Sequence, residues 1–230
     1  MKRIIHLFVL TALVLMGGQT FAQNKHQYVD LGLPSGTLWA TCNVGATTPE
    51  GYGSHFAWGE ITTKTFYRWD TYRYSRGDYK ELTKYCNKSD CGANGFTDRL
   101  TVLQASDDAA TANWGSGWCM PTKAQWEELY QNTTTKWTTR NGVKGRLFTA
   151  KNGNSLFLPA AGYRWGEKGN EHGGAGVDGY YWSSSLSTNY PDSAWSFYFG
   201  LDSYADDGMH GYVSRSGGMT VRPVRSARQN

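Results

Sequence analysis

Ala194-Trp195-Ser196-Phe197-Tyr198-Phe199 is the stretch on which the fold turns. Trp195, Phe197 and Phe199 alternate with Ser196 and Tyr198, the period of two of a strand with one face in a core. The alternation predicts that the three large apolar rings point inward and that Ser196 and Tyr198 share the opposite face. Working outward, Tyr180-Tyr181-Trp182-Ser183-Ser184-Ser185 reads as a strand before it, and Met219-Thr220-Val221-Arg222-Pro223-Val224 as the last strand. Earlier come Trp137–Thr139 and Leu147–Thr149, then Ser155-Leu156-Phe157-Leu158-Pro159. Asn141-Gly142 and Asn152-Gly153 are the dipeptides that tight hairpin turns favour, because both residues tolerate positive φ. Tyr28–Ala40 reads as an extended opening segment with a Pro34-Ser35-Gly36 turn, and Phe56–Glu60 as a short buried strand. Thr65–Leu103 is polar, tyrosine-rich and irregular.

Two helices interrupt this strand pattern. Ser106 is placed to cap a helix with Asp107 and Asp108 in its first turn, Ala109, Ala110 and Ala112 along it and Gly115 at its end. A second begins at Pro121-Thr122, where Thr122 and Gln125 form a capping box. Trp126, Leu129 and Tyr130 make its apolar face, which leaves Glu127 and Glu128 toward solvent. Helices early and strands late predict an α+β domain.

The composition fits. Aromatic residues make up 15% of the 230, enough to build a core, and 28 glycines supply many turns. No G-x-y period or heptad runs through the chain, which excludes collagen-like and coiled-coil architectures. Lys2-Arg3, an apolar stretch over Ile4–Met16 and Thr20-Phe21-Ala22 read as a signal peptide cleaved before Gln23. Removing residues 1–22 lowers the formal net charge from +4 by two, since Lys2 and Arg3 go with it. Residues 23–230 then form a single exported domain, in the periplasm, at the cell surface or secreted, with no later segment able to span a membrane. Its four cysteines are expected to pair in an oxidising compartment. Three connectivities exist. The favoured one closes Cys86–Cys91 across a short loop and leaves Cys42–Cys119. Zinc is disfavoured, because Cys86-x₄-Cys91 is the only near pair and no histidine neighbours it.

Longer motifs carry a resemblance. Val29-Asp30-Leu31-Gly32-Leu33-Pro34-Ser35-Gly36, Trp39–Ala46, Tyr52-Gly53 and Phe56-Ala57-Trp58-Gly59-Glu60 open the series. Asp107–Ala110, Trp114-Gly115, Trp118, Met120-Pro121-Thr122 and Trp126–Leu129 continue it. Leu158–Arg164, Gly179–Ser184 and Val221-Arg222-Pro223-Val224 close it. In these the chain resembles the Fibrobacter succinogenes major paralogous domain family, common in exported proteins of gut Bacteroidetes, over nearly all of residues 28–225. The resemblance implies a C-type lectin-like fold: two helices, an antiparallel sheet that pairs the first and last strands, and long irregular loops. It departs from the family at Cys119, where Arg is usual, which suggests a disulfide particular to this chain. A buried free thiol is the other reading.

Several chemistries are excluded or disfavoured. Gly174-Ala175-Gly176-Val177-Asp178-Gly179 spells G-x-G-x-x-G, but Tyr180-Tyr181-Trp182 follows it rather than a helix, so it reads as a glycine-rich loop. Ser183, Ser184 and Ser185 lie in no nucleophile elbow. The formylglycine-generating enzymes on a related scaffold use a late cysteine pair, and this chain has no cysteine after Cys119. No catalytic residue is assigned. Arg222, Arg225 and Arg228 form a short basic row that reads as a solvated tail, so nucleic acid is not expected.

The binding surface is placed in Asn189–Tyr212, rich in Tyr, Ser, Gly and Asp, a mix that gives contact area at low entropy cost. The candidate residues are Tyr190, Asp192, Ser196, Tyr198, Asp202, Tyr204, Asp206, Asp207, His210 and Tyr212. No cofactor is assigned; calcium, through Asp192, Asp202, Asp206 and Asp207, is the one the carboxylates leave open. The expected role is recognition of a glycan or a surface protein by a non-enzymatic module. A structural or adhesive subunit, such as a fimbrial tip component, comes second.

Overall fold

A computed structural model describes residues 26–166, 172–201 and 207–226. Its strands, in chain order, are β1 (Tyr28–Asp30), β2 (Thr37–Ala40), β3 (His55–Phe56), β4 (Thr133–Arg140), β5 (Val143–Ala150), β6 (Ser155–Pro159), β7 (Tyr163–Arg164), β8 (His172–Gly173), β9 (Asp178–Leu186), β10 (Ser193–Gly200), β11 (Gly208–Ser214), β12 (Met219–Thr220) and β13 (Val224–Ser226). Two helices, α1 (Ala109–Trp114) and α2 (Lys123–Gln131), precede β4. The class is therefore α+β with strands dominant. Among the described residues no helix is long and apolar enough to cross a membrane.

The main sheet runs β11-β10-β9-β12-β3, and a second runs β1-β2-β13, so the last strand closes antiparallel onto the second. β4, β5 and β6 form a third sheet. The β4–β5 hairpin turns on Asn141 and Gly142, both at positive φ, as the dipeptide predicts. Phe197 and Phe199 face inward, where they pack with Trp126 and Leu129 of α2, Phe148 of β5 and Leu156 and Leu158 of β6. Ala194, Leu186 and Trp182 face the other way, into a second core built by Trp58, Tyr67, Tyr72, Tyr74 and Tyr85 of the irregular segment and by α1. The main sheet thus has a core on each face.

The capping box of α2 forms as expected: the Thr122 hydroxyl accepts from Gln125 N, and the Gln125 side chain accepts from Thr122 N. Glu127 pairs with Lys123 on the surface. Glu128 does not simply face solvent, because its carboxylate accepts from Ser35 N at 2.7 Å and Ser35 Oγ at 2.5 Å, pinning the β1–β2 turn. The cap of α1 is Asp108, not Ser106. The Asp108 carboxylate accepts from Ala110 N, Thr111 N and, across the fold, Met120 N. Residues 105–107 form a single preceding turn.

The irregular segment has few ladder hydrogen bonds of its own, and a buried cation holds it to the sheet. Arg215 donates from Nε to Tyr72 Oη at 3.0 Å, from Nη1 to Tyr85 O at 3.0 Å and Pro191 O at 2.8 Å, and from Nη2 to Lys84 O at 2.9 Å. Its guanidinium also lies 5.0 Å from the Trp58 ring and 5.3 Å from that of Tyr72. Nearby, Asp107 accepts from Tyr85 Oη at 2.5 Å and Lys84 Nζ at 2.6 Å. Burial opposes its charge, but those hydrogen bonds hold the carboxyl below the usual carboxylate range. Arg222 does for the termini what Arg215 does for the loops. It is wholly buried and donates to Asn43 Oδ1, to the carbonyls of Ala40 and Thr41 and to that of Phe157. The reading of Arg222 as part of a solvated basic tail is thus corrected.

All four cysteines carry free thiols. Neither the expected Cys86–Cys91 nor the expected Cys42–Cys119 bond is formed, and the strands set Cys42 and Cys119 on opposite sides of one segment. Cys119 exchanges backbone hydrogen bonds with Val224 from one side, whereas Trp39 pairs with Val224, and Val44 N donates to Val221 O, from the other. The two cysteines therefore flank the 221–224 segment, about two strand spacings or ~9.6 Å apart, beyond the ~7 Å Cα reach of a disulfide. Cys86 and Cys91 instead converge on one carbonyl, Lys88 O, which accepts from Cys86 Sγ at 3.0 Å and from Cys91 N at 3.2 Å.

Two outcomes follow from these contacts. Arg215→Met, which strands three buried carbonyls, is expected to cost about 3 kcal/mol, read as a lower urea midpoint. In protein oxidised after refolding, peptide mapping is expected to recover Cys86 linked to Cys91, with Cys42 and Cys119 separately alkylated.

Candidate functional site

The irregular segment covers only part of the outer face of the main sheet. Beyond its edge, five rings from four strands stand in a row: Tyr163 of β7, Tyr180 of β9, Tyr198 of β10, and His210 and Tyr212 of β11. The register makes the row. Tyr180 and Tyr198 are direct antiparallel partners with ring centroids 4.8 Å apart. Tyr163 meets the edge of Tyr180 at 5.3 Å. On the other side Tyr198–His210 and His210–Tyr212 are 5.1 and 5.6 Å apart with interplanar angles of 32° and 22°. The last two pairs lie near offset stacking, whereas Tyr163–Tyr180 is edge-on at 79° and Tyr180–Tyr198 is tilted by 47°, so the rings pack on one another along the row. Tyr212 ends the row and is 70% exposed, which leaves a ring face open to solvent.

A bulge aims that last ring. Ala194 pairs with Val213 and Ser196 with His210, so Gly211 and Tyr212 together oppose Trp195. The Trp195 indole lies against Gly211 on the inner side, with its far face 4.4 Å from Lys123 Nζ. A Cβ at Gly211 would come within 2.7 Å of that indole, so only glycine lets the bulge form there. The extra residue brings Tyr212 round beside His210.

One carboxylate sits in the row. Tyr198 Oη donates to Asp178 Oδ1 at 3.0 Å. Burial, then this hydrogen bond and the Asp178 charge, push the Tyr198 hydroxyl well above its ordinary range. Burial, with Asp178 second, pushes Tyr180 up to about 12. Both phenols remain protonated donors at neutral pH.

The predicted candidates divide. Tyr198, His210 and Tyr212 come together in the row. Tyr190 is 58% exposed but lies in the turn between β9 and β10 with Asp192, at the far end of the hairpin, about 17 Å along the strand from Tyr198. That turn packs on the cysteine loop, where Lys88 Nζ and Asn87 Nδ2 donate to the Asn189 and Thr188 carbonyls. Ser196 faces outward as the alternation requires, yet it is fully buried beneath the irregular segment, so its assignment as a ligand-binding residue is corrected. Asp207 is also corrected. Its carboxylate pairs with Arg146, which stacks over Trp137 and Phe199 of the inner core, and it accepts from Gly200 N. Asp202, Tyr204 and Asp206 lie outside the described residues. Among the described residues no three His, Cys, Asp or Glu side chains converge on one point.

Sequence reading did not find Tyr163, Tyr180 or Asp178. Tyr180 was legible as a strand residue, but only the register shows that it faces Tyr198. Residues 174–177 form a turn that leads into β9 and not into a helix, as the reading of a glycine-rich loop expects. A separate cavity of about 340 Å³ lies between the first strand and α1, lined by His26, Gln27, Thr41, Cys42 and Trp114 among others, and shares no wall with the row.

The row makes a spectroscopic outcome concrete. Tyr180→Phe and Tyr198→Phe are expected to leave the rise of phenolate absorbance near pH ~10, the ordinary tyrosine range, unchanged. A smaller rise in either variant would mean that the corresponding hydroxyl is not held back.

No protein-family model, curated protein or solved structure matches the chain.

Proposed function

We propose that the chain is an exported binding module, built as a C-type lectin-like domain of the Fibrobacter succinogenes major paralogous domain type, that recognises a glycan without transforming it. The observation that carries this reading is the row of Tyr163, Tyr180, Tyr198, His210 and Tyr212 beside Asp178. Sugars offer an apolar ring face and a rim of hydroxyls. Tyr212 offers a ring face, and the other rings offer an edge of donors and acceptors next to a carboxylate that accepts hydroxyl protons. A large protein interface is centred on buried apolar anchors, whereas here the rings are already packed on one another. The fold reading is supported by two early helices, by the last strand closing onto the second, and by a long irregular segment laid over one sheet face. The leading residues 1–22 support export.

A glycan array probed with residues 23–230, once with calcium and once with chelator, tests the reading. Tyr198→Ala with Tyr212→Ala is expected to weaken binding about tenfold or more, at ~0.5–1.5 kcal/mol per ring. Tyr190→Ala, at the far end of the hairpin, is expected to leave it unchanged. Binding that survives the double variant with intact melting would move the site away from the row. No glycan bound at all would turn the reading to surface-protein recognition or appendage assembly.

A further inference from the structure

We infer that the tyrosine row selects uncharged polysaccharide chains and rejects acidic ones; this rests on the glycan reading above. The charge at the row is negative and fixed. Asp178 sits in it, hydrogen-bonded to Tyr198, and makes no ion pair among the described residues. Its field reaches both central rings, since it acts on the Tyr180 and the Tyr198 hydroxyls alike. Two cations lie near this end of the sheet: Arg164, which follows Tyr163 in β7 and whose charge acts on Tyr67 of the irregular segment, and Arg146, which is turned to the inner core. It lies over Trp137 and Phe199, donates to Gly200 O and neutralises Asp207, so its charge is not presented to the outer face. Within the row only His210 is able to carry positive charge, and its ring lies stacked between Tyr198 and Tyr212.

A neutral sugar hydroxyl donates to the open lone pairs of Asp178, a charge-assisted bond. A uronate or sulfate at the same place meets a like charge, and none of the five rings of the row brings a guanidinium or ammonium to hold it. The electron-rich face of Tyr212, the ring face left open, adds repulsion of the same sign. The row also crosses from β7 to β11, longer than a single sugar ring, which fits a chain lying across the strands rather than a lone monosaccharide.

The test is affinity electrophoresis of residues 23–230 in gels containing a neutral β-glucan, a neutral mannan, polygalacturonate or alginate. The expected result is retardation by a neutral polymer, with dissociation constants for both acidic polymers at least about tenfold weaker, a modest like-charge penalty at a solvated surface. Asp178→Asn, checked for unchanged melting, is expected to narrow that gap by weakening the neutral complex and strengthening the acidic one. Acidic polymers bound as tightly as neutral ones would overturn the selectivity and leave the glycan reading standing. A gap that Asp178→Asn does not narrow would also overturn it, since the selection would then reside elsewhere. Retardation by none of the four, with none on the array, would overturn the glycan reading and this inference with it.

Discussion

The structure depends on Arg215, a cation buried among neutral groups. A guanidinium in a protein interior is tolerated only when its donors are satisfied. Here the acceptors are Tyr72 Oη and three carbonyls, contributed by residues that the sequence keeps far apart. Lys84 and Tyr85 belong to the irregular segment and Pro191 to the β9–β10 turn. Each is fixed because the charge leaves it no other place. The aromatic rings of Trp58, Tyr72 and Tyr85 close round the same group. Segments that make few ladder bonds of their own thus take one conformation, imposed by one side chain at the end of β11.

From that constraint the position of the binding face follows. The segment held by Arg215 lies over the part of the outer sheet face that carries Trp182, Leu186 and Ala194; Tyr163 and Tyr180 pack at the margin of that core, only partly buried. What remains uncovered is neither wholly apolar nor wholly polar. Its rings are supported from beneath by the inner core of Phe197 and Phe199 and from the side by one another, so they are held with little rotamer freedom left to lose on contact. A rigid row of this kind is a surface prepared in advance.

Much of the framework was legible in the residues. The Thr122–Gln125 box, the Asn141-Gly142 turn and the inward placing of Phe197 and Phe199 are local devices, and each appears where its chemistry places it; Trp195, expected inward with them, is half-buried against Gly211 and Lys123 outside both cores. What was not legible depended on partners distant in sequence. Asp108 displaces Ser106 as helix cap because its carboxylate also serves Met120, a contact that no local rule contains. Arg222 reads as a tail charge until Asn43, Ala40, Thr41 and Phe157 are seen around it. Ser196 lies on the predicted face yet under a segment whose path the sequence leaves open. Cys42 and Cys119 are both near β13, on opposite edges of it. Of the five rings in the row, the composition of Asn189–Tyr212 singled out three, Tyr198, His210 and Tyr212. Tyr163 and Tyr180 belong to the row only through register, which a one-residue slip would have reversed.

The bulge at Gly211 and Tyr212 has a further consequence. β11 is the outer strand of the main sheet, with one side of its backbone turned away from β10. An unbroken edge of that kind is a template on which a second chain adds itself, strand by strand, into aggregates. The two residues that oppose Trp195 break the spacing of the backbone groups and increase the local twist, so a straight incoming strand finds no continuous line of donors and acceptors. The irregularity that brings Tyr212 beside His210 is also what keeps an exposed aromatic edge from recruiting copies of itself.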